Sequence, residues 1–201
     1  MYYYQQPQAF SSRYLNKLQN RILTSPYFAV NNLNRDFIGT KGFSVVFRRS
    51  HIATVEEHFP NFKLYLDRAL QPDCNAFYLN PLLLQAGSRV DPHIDRSLRS
   101  YCKTIDPPAV VSVLYIAVPE DLEGGELVLR SHRRQVGCIR PERNTLLFFQ
   151  GDLTHAVNRV TSDGQRLSLV CEQYNLEEHQ LEEIPEFQLE SRASQPKNKK
   201  P

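Results

Sequence analysis

The chain has 201 residues, of which 41% are hydrophobic and 23% are charged, a composition typical of one globular domain with a real core. Its formal net charge of +2 is too small to require a nucleic acid or an anionic membrane as partner. No apolar run approaches the roughly 20 residues that span a bilayer, and the opening MYYYQQPQAF lacks the features of a secretory signal.

The N-terminal third is predicted to be mostly helical after a flexible start at residues 1–10. The pattern RYLNKLQNRIL predicts a helix over 12–23 because its leucines and isoleucine recur on one face. The β-forming residues FSVVFRR at 43–49 predict a strand. The string at 52–70 predicts a helix, which Pro60 either breaks or opens in its second half.

After Pro72 the sequence changes to short β-rich runs separated by turn signals such as AGS, PEDLEGG and TSDGQ. The predicted strands are 75–84, 110–118, 126–130, 135–140, 145–149, 155–160 and 166–174. Seven short strands at this spacing predict an all-β sandwich or barrel, with the helices packed on its outside.

These elements predict a single domain over 11–178, in which residues 11–70 give helical support and residues 75–175 form the β core. The polar residues 179–201 are predicted to be a disordered tail. The four cysteines are scattered without a CxxC pair, which argues against a zinc ribbon or a disulfide framework. Reduced thiols and a cytoplasmic location are therefore expected.

The stretch VDPHIDRS contains a candidate pair of metal ligands, His93 and Asp95. Two residues apart on a strand, they would point to the same face, where an imidazole nitrogen and a carboxylate oxygen can reach one ion. His155 is the favoured third ligand because it follows the apolar run TLLFF and a short turn. The competing interpretation is a surface His and Asp beside a loop.

Two histidines and one carboxylate would form a facial triad, which leaves coordination positions open and suits non-haem Fe(II). Zinc is the main competitor, but it prefers four ligands and often a thiolate, and no cysteine has an obvious claim to that place. Iron is therefore favoured, with manganese or zinc as alternatives.

Arg166 and Ser168 are candidates for binding a terminal carboxylate. Arg166 lies eleven residues beyond His155, and a hairpin of that length would bring the two strands side by side. Ser168 would share the face of Arg166. An arginine exposed at the start of a strand is the competing interpretation.

Several short motifs in a fixed order together resemble the iron(II)/2-oxoglutarate-dependent dioxygenases, and most closely the prolyl 4-hydroxylase-like branch. They are HID at 93–95, GGEL at 124–127, FF at 148–149, His155 and RLS at 166–168. The resemblance covers roughly residues 75 to 175. It implies a mainly β fold, a double-stranded β-helix (jelly roll) with supporting N-terminal α-helices, in which Gly124 and Gly125 shape the turn into a strand.

Carried over to this sequence, the resemblance implies that His93, Asp95 and His155 bind Fe(II). Arg166 would pair with the distal carboxylate of 2-oxoglutarate, assisted by Ser168. The implied reaction consumes O2 and 2-oxoglutarate, releases succinate and CO2, and hydroxylates an unactivated C–H bond, with ascorbate as a candidate reductant. No general base is required, so none is assigned.

Tyr115 falls on the strand where this branch often places a tyrosine beside the same carboxylate, although a core tyrosine is an equally good interpretation. The sequence also departs from the family pattern. The tyrosine often found nine or ten residues before the first ligand histidine is replaced by Leu84 or Leu83. The segment 96–108 is long and is a candidate loop over the site mouth, with Arg96, Arg99 and Tyr101 as candidate substrate contacts.

The sequence leaves the substrate open between a peptidyl residue, prolyl-type by family analogy, and a free amino acid or small metabolite. Nucleic acid is less favoured, because the basic residues at 130–135 are more typical of an exposed hairpin. No membrane partner is expected, and the oligomeric state is not predicted. Two rival hypotheses are a cupin-like metalloenzyme that does not use 2-oxoglutarate and a non-catalytic metal-binding jelly-roll module.

Overall fold

The computed structural model describes residues 1–30 and 36–193. Within these residues two antiparallel sheets, one of nine strands and one of five, form the body of the domain. The strands in chain order are β1 (Tyr3–Gln6), β2 (Ala29–Val30), β3 (Phe37–Ile38), β4 (Lys41–Gly42), β5 (Ser44–Arg48), β6 (Ala76–Gln85), β7 (Arg89–His93), β8 (Val110–Ala117), β9 (Leu127–Ser131), β10 (Arg134–Ile139), β11 (Leu146–Gln150), β12 (Thr154–Val157), β13 (Gln165–Tyr174) and β14 (Phe187–Glu190).

The strand order of the larger sheet is β1-β11-β8-β13-β6-β4-β2, with β5 also paired to β6 and β14 paired to β5. The smaller sheet has the order β10-β9-β12-β7-β3. All seven strands predicted after Pro72 are present, so the prediction of a mainly β jelly roll is confirmed. Apart from β5, the strands outside that set were not predicted.

Four α-helices accompany the sheets: α1 (Ser12–Leu23), α2 (Ile52–His58), α3 (Lys63–Ala69) and α4 (Glu178–Glu183). The predicted helix at 52–70 is divided, since α2 ends before Pro60, and Pro60 begins a short 3-10 turn that leads into α3. Proline has no N–H to continue a helix, but it fits the first position of the next one. Within the described residues, no helix has the length and apolar character that crossing a membrane requires.

The larger sheet is apolar on both faces because both faces are covered. On β8, Leu114 and Ile116 point to the outer face and share a core with the buried face of α1. Val113 and Tyr115, which alternate with them, point inward to a second core between the two sheets. Several residues of this inner core, among them Val90 and Phe149, also line a cavity between the sheets.

The prediction of a flexible start is wrong for Tyr3–Gln6, which pair with β11 along its free edge. The ring of Tyr4 stacks on that of Phe148 with centroids 4.8 Å apart, and Phe10 is held by two hydrogen bonds with the Asn144 side chain. Polar composition concealed this strand because an edge strand needs only one apolar face.

The prediction of a disordered tail is also wrong for residues 179–193, while residues 194–201 lie outside the described residues. The helix α4 begins with a capping box, and β14 pairs with β5. The Arg48 guanidinium donates to the carbonyl groups of Ile184 and Glu182, which fixes the connection between the two elements. Hydrogen bonds to main-chain carbonyls are not visible in composition.

Gly124 provides a test of the turn that the GGEL motif predicts. Its φ is +74°, and a Cβ at this position would lie 1.9 Å from the carbonyl oxygen of Arg159. We therefore expect Gly124→Ala to lower the free energy of unfolding by more than the roughly 1–3 kcal/mol of backbone strain alone. Gly87→Ala is the matched control, because Gly87 has a φ of +85° but no heavy atom within 4 Å of the added Cβ. Denaturant unfolding that gives equal losses for the two variants would contradict the close approach.

Candidate active site

Three side chains meet between the two sheets. Two of them come from strands of the smaller sheet, and the third comes from the loop that follows one of these strands. The pairing of β7 with β12 sets His93 directly opposite His155. The Asp95 carboxylate lies 3.2 Å from Nε2 of His93 and 3.4 Å from Nε2 of His155. One ligand atom from each residue lies within 4.8 Å of the others, so the three can hold one metal ion.

The strand β7 ends at His93, so Asp95 is not part of the pleat as the sequence interpretation assumed. It lies in the short loop before a 3-10 turn, Ser97–Ser100. The prediction that strand alternation places His93 and Asp95 on the same face is therefore wrong, although the two side chains do meet. The chain turns after His93, and this turn brings the carboxylate to the two imidazoles.

Both imidazole rings are oriented by main-chain carbonyl groups. The Nδ1 of His93 lies 2.8 Å from the carbonyl oxygen of Asp91, and the Nδ1 of His155 lies 3.1 Å from that of Leu153. A carbonyl oxygen only accepts, so Nδ1 carries a proton and each Nε2 faces Asp95, where it donates to the carboxylate when protonated and offers its lone pair when a metal ion takes the place of that proton. This is the tautomer that a metal ligand requires.

The charges of the triad stabilise one another. Burial alone would raise the pKa of Asp95, but the two histidines outweigh burial and hold that pKa well below its usual range. For His93, burial lowers the pKa and the Asp95 carboxylate raises it, and the net pKa is raised. The carboxylate is therefore ionised in the buried site and is available as an anionic ligand.

Arg166 lies near the start of β13 and is only 3% exposed. Its guanidinium lies over the Tyr115 ring, with Cζ 4.9 Å from the ring centroid. Neither Nε nor Nη1 of Arg166 has a hydrogen-bond partner in the described part of the chain, and the same holds for the hydroxyls of Ser168 and Tyr115. Buried hydrogen-bonding groups rarely stay unpaired, so this cluster is fitted to an anion with several oxygens.

Burial lowers the pKa of Arg166, although the nearby Tyr115 opposes that change. Burial raises the pKa of Tyr115, so its phenol stays protonated and can donate to an anion. The structure thus brings Arg166, Ser168 and Tyr115 together, as the sequence interpretation required.

The predicted hairpin between His155 and Arg166 is wrong. The strand β12 belongs to the smaller sheet and β13 to the larger one, so the two strands are not paired. His155 and Arg166 instead line one cavity between the sheets, together with His93, Asp95 and Ser168. The turn between them carries the chain from one sheet to the other, which places the cation across the cavity from the imidazoles.

The register of β6 accounts for the missing family tyrosine. Leu84 is the partner of Arg166 on the neighbouring strand, and Leu83 packs in the outer core toward the helices. The strand β6 therefore provides no hydroxyl group beside Arg166. Tyr115, opposite Ser168 on the other neighbouring strand, is the phenol beside Arg166.

The segment 96–108 is anchored to the domain. Leu98, Cys102 and Ile105 are buried in a third core, and the Arg99 guanidinium donates to the Ile105 carbonyl oxygen. Tyr101 donates to the Glu190 carboxylate. Of this segment, Ser97 lines the cavity, whereas Arg96, Arg99 and Tyr101 do not.

The sequence interpretation missed a second group of polar residues in the cavity, Tyr78, Asn80, Ser97 and Glu172. Glu172 accepts hydrogen bonds from the Ser97 main chain, the Ser97 hydroxyl and the Tyr174 hydroxyl. Burial, together with the charge of Asp95, raises its pKa to about 8. Strand alternation could have found Glu172, because every second residue from Arg166 onward shares its face.

The remaining lining of the cavity is apolar. Phe37 and Phe149 place ring edges against His93 and His155, with centroids 5.2 and 5.0 Å apart. The site therefore combines a metal-binding triad and a buried cationic receptor within one cavity whose other walls are apolar.

Residues 77–171 match a family model described as the 2OG-Fe(II) oxygenase superfamily. A comparison of the sequence with curated proteins finds no match.

Solved structures of the same fold cover most of the chain. A Pseudomonas putida prolyl-4-hydroxylase is 18% identical with a TM-score of 0.56, and the match covers 87% of this chain and 93% of that one. A Trichoplax adhaerens prolyl hydroxylase, in complex with a hypoxia inducible factor peptide fragment, is 16% identical with a TM-score of 0.58, over 90% and 86% of the two chains. A collagen prolyl hydroxylase of Paramecium Bursaria Chlorella virus-1, in a 2OG complex, is 15% identical with a TM-score of 0.53, over 85% and 94%. At these identities the likeness establishes a shared fold.

Proposed function

We propose that the chain is a 2OG-Fe(II) oxygenase, since residues 77–171 match the model of that superfamily, and we propose how its residues serve that chemistry and which substrates it takes. Enzymes of this family use Fe(II), 2-oxoglutarate and O2, and the chain is a hydroxylating dioxygenase. In our proposal His93, Asp95 and His155 hold Fe(II). Arg166, Ser168 and Tyr115 receive the distal carboxylate of 2-oxoglutarate.

One observation carries this assignment: a buried triad shares one cavity with a buried guanidinium whose Nε and Nη1 have no hydrogen-bond partner in the described residues. The triad alone would fit many metalloproteins. The guanidinium alone would be costly, because a buried charge without a partner is strongly disfavoured. A dicarboxylic acid that reaches the metal with one end and Arg166 with the other explains both features.

The donor set fits Fe(II) better than structural zinc. It offers two imidazole nitrogens and one carboxylate, and no cysteine lines this cavity in the described residues. Three ligands on one side leave positions open for a chelating co-substrate and for O2, as in non-haem iron oxygenases. Structural zinc sites are closed by four ligands.

Each residue of the site has a physical task in this assignment. The main-chain carbonyls of Asp91 and Leu153 hold the imidazoles in the tautomer that binds metal. Arg166 fixes the distance of the co-substrate from the triad, and the apolar walls exclude water. The bound Fe(II) and 2-oxoglutarate supply the oxidative decarboxylation to succinate and CO2 that is coupled to hydroxylation of a C–H bond.

For the substrate we propose a peptidyl residue, prolyl-type, or a free amino acid or small metabolite. The prolyl hydroxylases among the structural neighbours, one of them solved with a peptide, support the first class. The cavity has a mouth, and through it either a small metabolite or a single side chain of a peptide reaches the triad.

The rival hypotheses are a non-catalytic jelly-roll module and a cupin-like metalloenzyme that does not use 2-oxoglutarate. Both leave Arg166, Ser168 and Tyr115 buried without a ligand. The family match over residues 77–171 favours the oxygenase. Conversion of 2-oxoglutarate to succinate separates the oxygenase from both rivals.

We also propose a cytoplasmic location, supported by the absence of any disulfide among the four cysteines, three of which are buried. Cell fractionation that finds the chain exported would refute this location.

We expect His93→Ala and Asp95→Ala each to reduce Fe(II)-dependent succinate formation by about 100-fold or more, because each removes a metal ligand. Calorimetry with Mn(II) should show a parallel loss of metal affinity in variants that remain folded by circular dichroism. His132→Ala, in a turn of the β9–β10 hairpin and remote from the triad, is the control. Full activity in both triad variants would refute the metal site.

We expect Arg166→Ala to weaken 2-oxoglutarate binding by roughly 10- to 100-fold, since charge-assisted hydrogen bonds to the distal carboxylate are lost. Calorimetric titration of the Mn(II)-loaded protein measures this directly. Arg140→Ala, an exposed arginine outside the cavity, should bind like the wild type. An unchanged affinity in Arg166→Ala would remove the residue from the co-substrate site.

Metal removal gives a further test. A chelator should abolish succinate formation, and Fe(II) with ascorbate should restore it better than Zn(II), because zinc has no redox chemistry to offer O2. Equal restoration by Zn(II) would contradict an oxygenase.

A further inference from the structure

The cavity has a second polar end, formed by Glu172 and Asn80, to which the assignment above gives no role. Glu172 follows Arg166 by six residues on the same face of β13. At about 3.4 Å per residue the two Cα atoms are roughly 20 Å apart. A co-substrate held by Arg166 at the triad therefore does not need the Glu172 end.

Glu172 is a buried carboxyl group, 4% exposed, that lacks a cationic partner. Its hydrogen bonds come from Ser97 and Tyr174, and no Lys, Arg or His of the described residues forms an ion pair with it. A buried carboxylate is costly unless a cation and hydrogen bonds compensate its charge. Three of its roughly four acceptor positions are used, so one more donor can bind.

Asn80 provides an independent observation at the same end. It is 3% exposed, and its Nδ2 donates to the Phe43 carbonyl oxygen at 2.6 Å and to the Ser44 hydroxyl at 3.3 Å. Because a carbonyl oxygen can only accept, the orientation of the amide is fixed. Its Oδ1 is then a buried acceptor without a donor in the described part of the chain. Buried acceptors of this kind are rare unless a ligand or water completes them.

The register places these two acceptors close together. Tyr78 is opposite Glu172, and Asn80 is two residues further along β6. Asn80 and Glu172 are thus diagonal neighbours on adjacent strands, with backbones about 7–8 Å apart. A single group that donates several hydrogen bonds can reach both side chains.

The triad lies close to the Glu172 end of the cavity. Asp95 is two residues before Ser97, whose main chain and hydroxyl bind Glu172. The cavity therefore presents unpaired donors at Arg166 and, close to the metal ligand Asp95, acceptors at Glu172 and Asn80 that can take a further donor. A substrate positioned over the metal extends toward the acceptor end.

We propose that Glu172 and Asn80 bind a protonated nitrogen of the substrate, so that the hydroxylated molecule carries an ammonium or guanidinium group. This inference rests on the proposed function and narrows its substrate class. The cation comes from a basic side chain of a peptide or from a free amine or amino acid. A neutral donor would leave the buried carboxylate without charge compensation, which a cation provides.

The test compares cationic ligands with neutral ligands of the same shape, in two arms. The peptide arm uses blocked peptides that contain lysine or arginine against Nε-acetyl-lysine or citrulline. The free arm uses butylamine against butanol. Binding to the metal-free protein is measured by calorimetry, and stimulation of succinate formation is measured with the Fe(II)-loaded enzyme.

We expect the cationic member to bind about 10- to 100-fold more tightly in at least one arm. In Glu172→Gln, which keeps the shape of the side chain, this ratio should fall toward one. Glu172→Asp keeps the charge and should keep the preference. Tyr174→Phe, which removes a hydrogen bond to Glu172 but no charge, should keep it as well. Both affinities in the ratio are measured on the same preparation of one variant. A fraction of unfolded protein affects them equally, so the ratio does not change.

Three results would overturn the inference: equal binding of both members in the wild type, an unchanged ratio in Glu172→Gln, or no binding of any cation in either arm. Failure of the proposed function can be distinguished from failure of this inference. The proposed function fails if the Fe(II)-loaded enzyme does not convert 2-oxoglutarate to succinate, and that assay needs no substrate. A cation preference that depends on Glu172, in a protein that never forms succinate, would refute the oxygenase and leave the cation site in place.

Discussion

The site depends on the register between β7 and β12, which sets His93 opposite His155. Side chains alternate along a strand, so a slip of one residue in either strand would turn one imidazole out of the cavity. Val90 and Val157 help to secure this register because they face the intersheet core, and an irregularity in the pairing lets Val90 and His93, three residues apart, both line the cavity. The core that stabilises the domain therefore also positions the metal ligands.

The larger sheet contributes the charged groups that complement the triad. Arg166, Ser168, Val170 and Glu172 share one face of β13, and that face lines the cavity. The strand lies at the centre of the sheet between β6 and β8, so its backbone is hydrogen-bonded on both sides and its side chains are held rigidly. Fixed positions of this kind let the protein hold charge in place without reorganisation when a ligand binds.

Much of this arrangement could be predicted from the sequence, because strands with strong β-formers and clear turn signals dominate residues 75–175. The triad and Arg166 followed from motif order. The location of Asp95 beyond its strand and the position of β13 in the opposite sheet could not, since both depend on where the chain turns. Tyr3–Gln6 and β14 were missed because they are ordered by pairing with neighbouring strands, which local composition does not reveal.

The C-terminal segment has a role that its polar composition conceals. The carboxylates of Glu183 and Glu190 accept hydrogen bonds from Cys102 and Tyr101, in the segment that also carries Ser97. The final helix and strand thus brace, from behind, the wall against which a substrate would rest. Relatives that diverge in this region would be expected to diverge in selectivity as well, and a chimera made for new selectivity would have to exchange the two regions as a unit.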